Sequence, residues 1–230
     1  MKKLIKTALL KTLPVMAGYM VLGFGFGIIS VKNGYGILWA LAMSIFIYAG
    51  SMQYVAISLL ASGASLITTA LTTLMVNARH LFYGITMIKP YKKAGGAKPY
   101  MIFALTDETY SLVCSGEAPE GLDFHKYSFA VSLFNHCYWV LGSALGALAG
   151  SVIPFSFAGV DFAMTALFIT VFTEQWKGTK NHIPAVTGLL MSVISLIIFG
   201  ADRFLIQSML LISLTLSLGR SFIEKKEEKQ

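Results

Sequence analysis

Asn77, Arg79 and His80 interrupt an apolar stretch that runs from Leu66 to Ile88, and Asp107-Glu108 interrupt a second one from Pro99 to Gly116. A charge at the centre of a bilayer costs about 2.5–3.5 kcal/mol on insertion scales, so ionisable residues there mark pathways, relays or buried pairs. A guanidinium and two carboxylates at similar depth in neighbouring segments make a polar site inside an otherwise apolar protein, as transport requires. Arg79 is also a natural partner for Asp107 or Glu108, since buried charges neutralise one another. The sequence leaves open which carboxylate it takes.

The elements that must hold these groups are apolar helices. The chain of 230 residues is 56% hydrophobic and 13% charged, with mean hydropathy +0.70, about half the charge of an ordinary soluble domain. Eight apolar runs stand out: 13–31, 37–62, 64–88, 99–116, 126–150, 155–176, 182–200 and 203–219. Each is long enough to cover a hydrocarbon core of about 30 Å. No stretch between them is long or polar enough for a soluble domain, so residues 1–230 read as one all-α polytopic domain in the lipid bilayer. The first run follows Lys2, Lys3, Lys6 and Lys11, but no small-x-small cleavage signature follows it, so it is expected to be retained.

Lysine and arginine placement refines the topology. With eight full crossings, eleven Lys/Arg lie inside and six outside, because Lys89, Lys92, Lys93 and Lys98 fall on the outer side. If runs 37–62 and 155–176 instead enter and leave on one side as broken, re-entrant helices, fourteen lie inside and three outside. The positive-inside rule prefers the second count. It puts both termini in the cytoplasm and the loop around Glu120 outside. The two runs break alike, at Phe46-Ile47-Tyr48-Ala49-Gly50 and Phe155-Ser156-Phe157-Ala158-Gly159, followed by Ser51 and Gln53 or by Asp161. Glycines four apart (Gly23 and Gly27; Gly142, Gly146 and Gly150) precede each and let helices approach closely. These matches predict halves 1–118 and 119–230 of opposite orientation, an inverted-repeat plan with broken helices meeting at mid-membrane.

Several other classes are disfavoured. The basic residues sit at the termini and in short loops rather than along a groove, so no nucleic acid is expected. Cys114 and Cys137 lie in apolar runs and suit reduced thiols, and the four histidines lack metal-ligand spacing, so no metal site or other cofactor is expected. There is no phosphate-binding P-loop, so pumping must draw on an ion gradient or a separate ATPase. An intramembrane serine protease needs a Gly-x-Ser-Gly turn, whereas Ser51 is followed by Met52; no Gly-x-Gly-Asp motif is present either.

Five blocks occur in order: Leu13-Pro14 through Leu22-Gly23-Phe24-Gly25-Phe26-Gly27, Tyr48-Ala49-Gly50-Ser51-Met52-Gln53-Tyr54, Asn77-x-Arg79-His80-x-x-Tyr83-Gly84, Thr106-Asp107-Glu108-x-Tyr110 and Gly159-x-Asp161-Phe162-Ala163. Together they resemble AzlC-type proteins, the large subunits of branched-chain amino acid exporters (the LIV-E family). The likeness covers about Leu13 to Gln175, and from Lys177 onward is one of hydropathy and length alone. It implies export of valine, leucine, isoleucine and sometimes methionine, together with a small AzlD-type membrane subunit. An importer or channel-like permease of the same architecture is the alternative.

An amino acid brings a carboxylate, an ammonium and an apolar side chain into a low-dielectric site. A half-helix starting after Gly50 would offer the N–H groups near Ser51 and Gln53 to the carboxylate, and Arg79 could bind it bidentately. Asp107, Glu108 or Asp161 could take the ammonium, with Phe, Met and Leu around the aliphatic tail. Asn77 completes the binding candidates, while Arg79, His80, Asp107 and Glu108 form a candidate charge network for coupling, by protons or by sodium. Each also has a structural reading. Ser51 and Gln53 could cap the helix break, Asn77 and His80 could bond between helices, Asp161 could lie at the surface, and Asn135-His136 reads as interfacial.

Overall fold

The computed structural model describes residues 2–119, 121–152, 181–200 and 204–219, with residues 169, 172, 173, 176 and 177 between them. Among these residues it is all-helical, without strands: α1 (Lys2–Lys32), α2 (Ile37–Phe46), α3 (Gly50–Ala61), α4 (Leu66–Asn77), α5 (Arg79–Met87), α6 (Lys98–Phe103), α7 (Asp107–Val113), α8 (Phe124–Val152), α9 (Ile183–Phe199) and α10 (Phe204–Leu218). Short 3₁₀ turns, Pro90–Lys93 and Gly95–Ala97, join α5 to α6. Among the described residues α1 alone is long and apolar enough, by composition, to cross a membrane as a single helix. The expected runs 37–62, 64–88 and 99–116 are each divided in two.

The long helices α1 and α8 form the scaffold, and glycines set how closely they pack. A Cβ on Gly142 would stand 2.9 Å from the Tyr19 carbonyl oxygen, and one on Gly150 3.0 Å from Ile28 Cα. At Gly27 and Gly146 it would overlap the backbone of the facing helix outright, against Ser143 and Ala147 in one case and Phe24 in the other. Only glycine permits such backbone contact. The partners climb together along both helices, Met20 with Gly142, Phe24 with Gly146 and Ile28 with Gly150, so α1 and α8 run parallel.

Two broken segments insert between them from opposite ends. Segment 37–61 enters beside the carboxyl end of α1. After α2, Tyr48 takes φ 44° and packs its ring on Tyr19, with centroids 6.4 Å apart. The chain then returns: Gly50 meets Trp139, and the Tyr54 hydroxyl donates to the Leu22 carbonyl at 2.6 Å, toward the end where the segment entered. Gln53 Nε2 bonds Ser44 Oγ across the two arms at 3.3 Å. A left-handed tyrosine is uncommon, and such residues persist where surrounding packing fixes them.

Segment 98–113 enters from the other end. Met101 on α6 and Val113 on α7 share one buried cluster with Ala8, Tyr91 and Tyr127, at the amino ends of α1 and α8. His125 Nε2 lies 3.1 Å from the Pro90 carbonyl there, and Asp123 accepts from the Lys126 N–H at 2.8 Å, capping the start of α8. Between the hairpins, α4 and α5 together run from the carboxyl end to this cluster, where Met87 is buried. Residues 66–87 span about 33 Å at 1.5 Å per residue, enough for one crossing.

Run 37–62 is divided into two helices that turn back on each other, and the lysine loop 89–98 lies at the amino-terminal end of the scaffold. One expectation is corrected. Run 99–116 is not one continuous helix: the break at Ala104–Thr106 turns it back, so that a Cβ on Gly116 would stand 3.6 Å from Pro90 Cγ, at the amino-terminal end of the scaffold. The helices that open the expected halves 1–118 and 119–230, α1 and α8, run parallel by their glycine register. What is inverted is the pair of hairpins. Run 155–176, the Glu120 position and Asp161 lie outside the described residues, apart from the isolated positions given above.

Candidate functional site

The three breaks converge. Tyr48-Ala49-Gly50-Ser51 from the first hairpin, Asn77, Arg79 and His80 from the α4–α5 junction, and Thr106-Asp107-Glu108 from the second hairpin line one cavity with Tyr19, Leu22 and Trp139 of the scaffold. Two of the breaks have a local cause. Thr106 is extended and its hydroxyl accepts from Thr109 N–H at 3.3 Å, so an N-cap sits inside an apolar run, with two acids in the following turn. At Ala78 the ladder tightens to three-residue bonds, Leu81 N to Ala78 O at 3.1 Å. That shifts the helix phase, which is how Asn77, Arg79 and His80 all reach one cavity although a straight helix would place them on two faces.

The charges are arranged as one pair and one buried acid. Arg79 Nη1 meets Asp107 Oδ2 at 2.7 Å, with side chains 27% and 16% exposed, and Arg79 Nη2 donates to Ser51 Oγ at 2.9 Å. The carboxylate paired with Arg79 is therefore Asp107. Glu108 points the other way and accepts the Tyr19 hydroxyl at 2.6 Å, which itself lies 2.7 Å from Thr106 Oγ1. His80 Nδ1 lies 3.2 Å from the Asn77 carbonyl.

Gln53 is not part of the cavity lining. It is fully buried, donates to Ser44 and accepts the Trp139 indole N–H at 2.9 Å. His136, expected near an interface, instead sits at the level of the hairpin tips, stacked on Tyr48 with centroids 4.2 Å apart. Its Nε2 lies 3.2 Å from the Ser44 carbonyl and its Nδ1 3.1 Å from the Tyr100 hydroxyl. A carbonyl only accepts, so Nε2 carries the proton and in the neutral ring Nδ1 accepts from Tyr100. Ser44 needs this donor because the Tyr48 N–H, its usual helical partner, bonds Met43 instead.

The cavity is small, about 30 Å³, room for one or two waters and not for an amino acid. Its lining is divided: Ser51, Asn77, Arg79, His80 and Asp107 on the polar side, Leu22, Ala49, Gly50 and Trp139 on the apolar side. Sequence reasoning missed Tyr19, Tyr48, Trp139 and His136. Tyr19 and Trp139 fall on the same helical stripes as Gly23–Gly27 and Gly142–Gly146, a spacing that could have placed them at the α1–α8 interface.

The family model described as AzlC protein matches residues 14–153, a span that holds both hairpins and every residue lining the cavity. This chain belongs to the AzlC family. It is 44% identical over 216 residues to the Bacillus subtilis protein named branched-chain amino acid transport protein AzlC, covering 94% of this chain and 85% of that one. An uncharacterised membrane protein of Helicobacter pylori is 41% identical, over 96% of this chain and 97% of its own length. The Escherichia coli inner membrane protein YgaZ is 27% identical, over 74% and 72% respectively. No solved structure matches. In this AzlC-family chain the matched span contains α8, α1 from Pro14 onward, the two opposed hairpins and the pair α4–α5.

Proposed function

We propose that this chain is the substrate-carrying subunit of a gradient-driven exporter of branched-chain amino acids, held in the plasma membrane as one integral domain. The observation that carries the reading is the divided cavity, in which an ion pair faces an apolar wall. A zwitterion can replace each half of that pair: its carboxylate takes Arg79, Ser51 and the free N–H groups at the start of α3, and its ammonium takes Asp107. The Arg79–Asp107 contact in the closed cavity then acts as an internal stand-in for substrate, keeping both charges compensated when the site is empty. Asn77 supplies a further polar contact, Asp161 remains a candidate by motif, and Gln53 acts through Trp139.

Glu108, set apart from Arg79 and bonded to Tyr19, is the proposed proton carrier, with His80 beside the same cavity. A cavity of this size must open to admit substrate, and the hairpins are the elements that enter from either end, so alternate withdrawal of one or the other gives alternating access. Among the described residues up to Val152, the amino-terminal end of the scaffold carries Lys2, Lys3, Lys6, Lys11, Lys89, Lys92, Lys93, Lys98 and Lys126, against Lys32 at the other. The positive-inside rule assigns that end to the cytoplasm.

A small AzlD-type membrane partner completes the exporter. The test is resistance of cells to a toxic leucine analogue: the chain co-expressed with such a partner confers it, and either one alone confers little. Full export by the purified single chain in vesicles would remove the partner requirement. Gradient-driven accumulation in the opposite direction would make the chain an importer.

A further inference from the structure

We infer that Trp139 selects which side chains the cavity accepts, and that Gln53 positions the indole for that task. The inference rests on reading the cavity as the amino-acid site. Trp139 is the bulkiest side chain among the lining residues and is 2% exposed. Its ring packs edge-on against Tyr19 at 5.4 Å and stacks on Phe26 at 6.3 Å, centroid to centroid. Both neighbours belong to α1, whose backbone is locked to α8 through the glycine contacts, so these two packing contacts persist when a hairpin withdraws. The edge of the ring is fixed separately, by the indole N–H to Gln53 Oε1 at 2.9 Å and by Gln53 Nε2 to Ser44 Oγ at 3.3 Å.

The facing position is a glycine. A Cβ on Gly50 would stand 2.9 Å from indole Cη2, so the missing side chain is what lets the first hairpin close on the ring. An aliphatic tail projecting from a zwitterion held at Arg79 and Asp107 extends toward the opposite, apolar side of the lining, where the indole and Gly50 bound the available depth. One methylene more or less against such a wall is worth about tenfold or more in discrimination.

The experiment measures binding of alanine, valine, leucine, methionine and phenylalanine to the full chain in its membrane complex. Trp139→Phe deepens the site and is expected to shift the phenylalanine-to-valine affinity ratio upward by roughly tenfold. Gly50→Ala pushes a methyl into the same space and shifts that ratio downward, which keeps the inference testable should the tryptophan variant fold poorly. Gln53→Met shifts the ratio in the Trp139→Phe direction, and combined with Trp139→Phe adds nothing further, because Gln53 acts through the indole. Affinities that fall by one common factor for all five ligands, with unchanged ratios, would overturn selection by Trp139 and leave the ring a packing residue. If Arg79→Met, Trp139→Phe and Gly50→Ala all leave every affinity at the wild-type value, the cavity is not the amino-acid site, and both the inference and the reading beneath it fall.

Discussion

Arg79 and His136 each bond both hairpins. Arg79, at the start of α5, holds Ser51 of the first hairpin at 2.9 Å and Asp107 of the second at 2.7 Å. His136, on α8, holds the Ser44 carbonyl of the first at 3.2 Å and the Tyr100 hydroxyl of the second at 3.1 Å. Two segments that enter from opposite ends are thus joined at their tips by two side chains from the surrounding helices. One joint is ionic, and under the proposed function substrate would replace it; the other is neutral and is made by a side chain of the scaffold helix α8.

The ionic joint predicts a specific rescue. Arg79→Met leaves Asp107 without its cation; removing one partner of a fully buried pair costs about 3–5 kcal/mol, and partial exposure of this pair lowers that figure. The yield of folded protein in detergent should fall. Adding Asp107→Asn should restore it, while adding Glu108→Gln should not, because Glu108 bonds Tyr19 rather than Arg79. Transport should stay absent in the rescued double variant. Equal rescue by both carboxylate changes would mean that the pair is shared.

The neutral joint predicts a different signature. His136→Phe keeps a ring against Tyr48 but leaves the Ser44 carbonyl without a donor, at a cost of about 1–3 kcal/mol. Thermal unfolding in detergent should shift down, and transport should fall more than substrate binding, since the cavity lining is intact. An unchanged melting temperature would show that water or another donor replaces the imidazole.

How much of this was legible in the sequence depends on the kind of break. The break at 47–49 carries Ala49-Gly50 followed by Ser51, and the expected re-entrant course of 37–62 followed from that and from lysine placement. The break at 104–106 has neither glycine nor proline, so hydropathy ran straight through it. The available signal was Thr106 followed by Asp107 and Glu108, a helix-start pattern inside an apolar run. Arg79, Asp107 and Ser51 could be nominated as polar residues in apolar surroundings, but which carboxylate meets Arg79 depends on two hairpin tips whose relative depth the sequence does not encode. Trp139 and His136 were hidden because their chemistry lies in long-range contacts of residues that read as ordinary core or interface.

Topology gives a direct check on the second hairpin. In a background without Cys114 and Cys137, single cysteines at Lys93 and at Glu117 should show the same sidedness toward an impermeant thiol reagent. One at Asn33 or at Ser62 should show the opposite. Opposite labelling of positions 93 and 117 would make segment 98–113 a full crossing and return the chain to the course expected from hydropathy alone.

The scaffold predicts opposite signs for two glycine changes. Gly27→Ala forces a methyl into the backbone of α8 near Ser143 and Ala147, which cannot retreat without parting the helices. Overpacking of this kind costs about 1–3 kcal/mol, and more where backbone must move. Gly84 lies inside α5 with nothing among the described residues within 4 Å of its would-be Cβ. Gly84→Ala should therefore gain about 0.5–1 kcal/mol by restricting the unfolded chain and favouring helix. Thermal unfolding of the two variants in the same detergent reads both effects together. A loss at Gly84 equal to that at Gly27 would indicate that another helix or a partner subunit occupies the face of α5 left open here.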